Sequence, residues 1–90
     1  MSEYMKSKSS TIQKTLNLKD GDLVRFEASE NWSIFSMYNK DRMIEVRHGE
    51  VIVFLGSYKP SCSKFLFKEK VGYVDSTESF AMVHLKKISD

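Results

Sequence analysis

The chain has 90 residues, 41% hydrophobic and 12% aromatic, with 14 Lys and Arg against 12 Asp and Glu for a formal net charge of +2. One domain fits that length, close to the lower limit for a core without metals or disulfides, and the apolar content excludes a disordered chain. Cys62 is the one cysteine, which excludes an internal disulfide and a cysteine-based zinc site and points to a reducing, cytoplasmic setting.

The charge is unevenly spread. Residues 1–19 carry Lys6, Lys8, Lys14 and Lys19 against Glu3, a net +3, and the remainder is −1. A nucleic-acid-binding domain usually concentrates its basic excess on the folded body, and here that excess belongs to the N-terminal segment. No uninterrupted apolar stretch follows these lysines, so neither a signal peptide nor a membrane-spanning helix is expected.

Met1 to Ser10 is polar and Ser/Lys-rich, and residues 1–19 are expected to form a flexible basic arm ahead of a domain spanning 20–90. Within the arm, Ser10-Thr-Ile-Gln13 fits a capping box, with Ile12 and Leu16 on one helical face. A helical turn, an extended strand and a segment ordered by a partner all remain open there. Lys19-Asp-Gly-Asp22 reads as a turn. After it, Val24, Phe26 and Ala28 alternate with Arg25, Glu27 and Ser29, the period of a half-buried strand over 22–29.

Trp32 to Tyr38 resumes the alternation, with Trp32, Ile34, Ser36 and Tyr38 on one face and Phe35 and Met37 on the other. Asn39-Lys-Asp41 turns, Ile44 and Val46 alternate in the return strand, and His48-Gly49 turns again. Val51 to Leu55 is apolar at every position, which predicts a central strand covered on both faces. Gly56 to Ser63 forms a loop. Phe65 and Phe67 alternate with lysines, Lys68-Glu-Lys70 turns, Val71 to Val74 continues, and Phe80 to Leu85 supplies the last strand. Many short strands at close spacing predict an all-β barrel of five to seven strands.

The segments LKDGDLVRF, HGEVIVFLGSY, KFLFKEKVGYV and the closing HLKKI resemble the Src-homology-3-like small barrel superfamily. The likeness lies in Gly49-Glu50-Val51-Ile52, in Gly72-Tyr73-Val74 and in Leu85 to Ile88, and spans about Leu18 to Ile88. It implies the fold. The groove that some members use for proline-rich ligands is not matched, because Lys64-Phe65 stands in the Trp region, Asp75-Ser-Thr replaces the Pro segment, and the only Trp is Trp32.

Catalytic chemistry finds little support. His48 and His84, with Glu45, Glu50 and Asp75, would have to converge to form a metal or acid/base site, and no spacing requires it. Each His is read as structural or solvent-exposed, and Cys62 as a packed residue rather than a reactive thiol. No phosphate-binding loop or nucleophile elbow occurs, and no enzyme activity, metal or cofactor is expected.

Two binding surfaces stand out. Trp32, Phe35, Met37 and Tyr38 place large apolar groups on both faces of a strand expected at the barrel edge, which suits a protein partner. A long curled strand burying each face in turn accounts for the same pattern equally well. Tyr58, Lys59, Lys64, Lys68 and Lys70 interleave with Phe65 and Phe67 and form the alternative, an RNA- or single-stranded-DNA-binding surface. The expectation is a non-enzymatic protein-interaction module. By analogy it is similar to virus-encoded accessory proteins that bind, modulate or inhibit a host complex or decorate an assembly.

Overall fold

The computed structural model describes residues 11–30, 33–59, 62–75 and 84–89. A short helix, α1 (Thr11–Leu16), precedes seven strands: β1 (Leu23–Phe26), β2 (Ile34–Asn39), β3 (Arg42–Arg47), β4 (Val51–Lys59), β5 (Cys62–Phe67), β6 (Lys70–Asp75) and β7 (Leu85–Lys87). All pairings are antiparallel, in the order β3-β2-β6-β5-β4-β1-β7. The all-β class is as expected. The sheet is a curled half-barrel rather than a closed cylinder, because among the described residues β3 and β7 do not pair with each other.

Alternation supplies the core. Phe26, Phe35, Met37, Val46, Ile52, Phe54, Phe65 and Leu85 all point to the concave side and are buried. The Phe26 and Phe35 rings lie 5.8 Å apart, and Phe54 meets Phe65 edge-on at 5.5 Å, a separation that favours aromatic pairs.

The curl depends on Gly72. A Cβ at this position would lie 2.7 Å from the Met37 Cβ and 3.3 Å from Ile44 Cδ1. Side chains of β2 and β3 therefore rest on bare β6 backbone. The β2–β6 ladder has a single register pair, Tyr38 with Tyr73, and beyond it Asn39 Nδ2 donates to Val71 O.

The segment 11–19, read from the sequence as part of the N-terminal arm, packs onto the sheet. Ile12 is fully buried and Leu18 nearly so, because α1 covers the open core. Asn17, at a φ of 55°, ends the helix, with Asn17 N–H donating to Lys14 O and Leu18 N–H to Gln13 O. This is the left-handed cap that Asn tolerates. Ser57 Oγ donates to Gln13 Oε1 at 2.6 Å, and Gln13 Nε2 donates to Leu18 O, which ties the helix to β4. Residues 1–10 lie outside the described residues.

Further expectations change. Val51 to Leu55 is not covered on both faces: Ile52 and Phe54 are buried, Val53 and Leu55 are half-buried, and Val51 is exposed. The strand continues to Lys59 with a bulge around Gly56, and β5, not β4, occupies the middle of the sheet. The strand expected at the edge, β2, lies between β3 and β6, and β3 is the edge. The last strand is Leu85–Lys87, with residues 80–83 outside the described set.

The start of β1 is secured at Leu23. Ile88 N–H donates to Leu23 O, and Leu23 N–H to Ser89 Oγ. Gly72→Ala should destabilise the protein by about 1–3 kcal/mol, since the Met37 Cβ cannot swing away, and Ile12→Ala by about 2–5 kcal/mol. Urea unfolding followed by circular dichroism measures both. A wild-type midpoint for either variant would refute the corresponding contact.

Candidate interaction surface

The convex side of the sheet carries the candidate site. Register places Leu23, Val53, Leu66 and Val71 in one row across β1, β4, β5 and β6. A second row runs Met43, Tyr38, Tyr73 and Lys64 across β3, β2, β6 and β5. Cross-strand neighbours stand about 4.5–5.5 Å apart at Cβ, so each row is a continuous strip. Tyr38 is 54% and Met43 53% exposed, and Leu23, Val51 and Ile88 are also exposed. Large apolar groups displayed in rows differ from the isolated exposed residues common on any surface.

Of the expected partner-binding residues, Tyr38 lies on this surface. Phe35 and Met37 do not: they are 2% and 0% exposed and belong to the core, because the alternation that turns Tyr38 outward turns them inward. Trp32 lies outside the described residues.

The alternative basic surface is likewise divided. Phe65 and Phe67 are buried, so their rings face the core rather than a base. Lys64 is half-buried on the convex side opposite Tyr73. Lys68 lies 3.2 Å from Glu50 and its Nζ stands 5.1 Å from the Phe67 ring centre. Lys70 is exposed at the start of β6. The side chains of Tyr58 and Lys59 lie outside what the structure describes.

Each imidazole engages the chain just after β1. His48 Nδ1 accepts the Ala28 N–H at 2.9 Å, and His84 Nδ1 lies 3.2 Å from Glu27 O, with its ring edge-on to Phe26. Among the described residues no three or more His, Cys, Asp or Glu side chains gather to hold a metal. Cys62 is half-buried, with Sγ 3.9 Å from Ser63 O.

Three carboxyl groups are held below their ordinary range. The Lys19 N–H does this to Asp22 most strongly, aided by Lys87 at 3.4 Å and by Ser89. Arg25 at 2.8 Å and then Lys86 act on Glu27. The Arg47 N–H and then Lys68 act on Glu50. All three pin turns or strand ends.

Leu23, Met43, Val53, Leu66, Val71 and Tyr73 were not anticipated as surface residues. Alternation assigns a face within each strand, but their grouping requires the register between strands. No protein-family model, curated protein or solved structure matches the chain.

A carboxyl whose native pKa is depressed stabilises the fold above its unfolded value, about 3.9 for Asp. That stability is lost as pH falls through the lower native value. Asp22→Asn should therefore lower the melting temperature at pH 7 and leave a shallower acid limb below about pH 4. Melting curves from pH 7 to 2 test this, and an unchanged acid limb would remove Asp22 from the clamp.

Proposed function

We propose that the chain is a non-enzymatic protein-interaction module on a Src-homology-3-like small barrel, with the convex face of β2, β3 and β6 as its contact surface. The observation that carries this reading is the exposed Tyr38, aligned with Met43 on one side and Tyr73 on the other. A Tyr supplies wide apolar contact at low entropy cost and a hydroxyl at its tip, which is why it anchors interfaces. The small-barrel assignment is supported by the curled antiparallel sheet, by the Gly49 turn at a φ of 86° leading into β4, and by the closing segment seated on β1. A role as an accessory protein that modulates a larger assembly rests on analogy alone.

A partner isolated by affinity capture in the presence of nuclease provides the assay. Tyr38→Ala should weaken its binding about 30-fold, the effect of losing about 2 kcal/mol at an interface anchor, with the melting temperature unchanged because the side chain is exposed. Binding should vary little with salt. If Tyr38→Ala and Met43→Ala both bind normally, the reading fails. A steep salt dependence abolished by replacing Lys64, Lys68 and Lys70 with Ala would assign the surface to nucleic acid instead.

A further inference from the structure

The residues that follow β1 are held by two imidazoles with different requirements. Phe26 N–H donates to Glu50 O at 3.0 Å and Gly49 N–H to Phe26 O at 2.8 Å, so the β1–β4 ladder runs on past Arg25 and Val51. One step further, the register that pairs Val24 with Ile52 sets Ala28 opposite His48. A regular antiparallel ladder would offer the Ala28 N–H a main-chain carbonyl at this point. Here it donates to a side chain, His48 Nδ1, at 2.9 Å.

That bond dictates the state of the ring. A nitrogen that accepts carries no hydrogen, so His48 is neutral with its proton on Nε2. Protonation puts a hydrogen on Nδ1, pointing at the Ala28 N–H, and the bond is lost. His84 obeys the opposite requirement. Its Nδ1 lies 3.2 Å from Glu27 O, an oxygen that only accepts, so this nitrogen carries a hydrogen in the neutral and the charged ring alike. The Glu27 N–H, in turn, donates to the main-chain oxygen of His84 at 2.8 Å, which no ring titration alters.

The other charged groups around this point, among the described residues, are outside the range of about pH 5 to 8 in which imidazoles titrate. Glu27 of the same segment faces Arg25 on β1 and Lys86 on β7. Glu50, beyond the His48-Gly49 turn, accepts the Arg47 N–H and faces Lys68 of the β5–β6 turn. Both carboxyls are held below their ordinary range and stay ionised, and lysine and arginine titrate far above it. His48 is exposed and exchanges protons with solvent, whereas Ala28 is half-buried and packs against the core.

We infer that His48 is a proton-operated latch on the end of the β1–β4 ladder, whose neutral ring holds Ala28 and whose imidazolium releases the segment leading to β2. The device goes beyond the protein-interaction reading and does not depend on it.

The test is a titration of the isotope-labelled full chain from about pH 8 to 5, followed by nuclear magnetic resonance. At the upper end the His48 ring nitrogens should report the Nε2–H tautomer. As pH falls, the Ala28 amide proton should move upfield with the midpoint of the His48 ring. Its exchange protection, corrected for the intrinsic rate, should drop about tenfold, the effect of losing one hydrogen bond. In His48→Asn the amide oxygen stands where Nδ1 does and cannot titrate, so the response of Ala28 should vanish. An Nδ1–H tautomer at the upper end, or an Ala28 amide indifferent to the His48 titration, would overturn the inference. A response that survives in His48→Asn would overturn it in favour of His84.

Discussion

The contact on which this molecule turns is the seating of Met37 and Ile44 on the backbone of Gly72. A sheet of seven strands needs a place where one layer can approach another more closely than two Cβ atoms allow. Gly72 is that place, and the β2–β3 hairpin bends over it. Without the bend, β3 would extend the sheet as a flat, distant flange. With it, Ile44 enters the core, and grooves lie between the β2–β3 and β5–β6 hairpins.

The rest of the fold holds this curl from the opposite end. α1 covers the core with Ile12 and is tied to β4 through Gln13 and Ser57. The short β7 is fixed to β1 by main-chain bonds, by Ser89, and by Lys87, which reaches both Asn17 O and Asp22. These interactions join the two ends of the described chain at one strand. A 90-residue protein with no disulfide has little core to spare, so such closures carry weight beyond their number.

Convex side chains and concave ones divide the labour. Among the described residues the inward ones are mostly large and apolar. Outward residues form two strips whose members come from four strands each, and the free edge of β3 adjoins the Met43 end of one strip. The turns at its rim are costly to build. Lys40, Lys68 and Glu69 all take positive φ, a conformation that glycine or asparagine adopts more easily. These three residues stand at the two hairpin tips that bound the grooves.

Most strands and the inward set Val24, Phe26, Phe65 and Phe67 were legible because they follow from a period of two and from local backbone preference, both written in neighbouring residues. The same rule identified Tyr38 as facing away from Phe35 and Met37, though not which of the two faces would be buried. Val51 to Leu55 misled because a run of apolar residues erases the alternation that reveals exposure. The sequence by itself determined an all-β chain with an aromatic core. Tertiary structure decided that α1 belongs to the core, that β3 rather than β2 is the edge, and which residues share a strip, because register, edge position and curl arise from contacts between residues far apart in the chain.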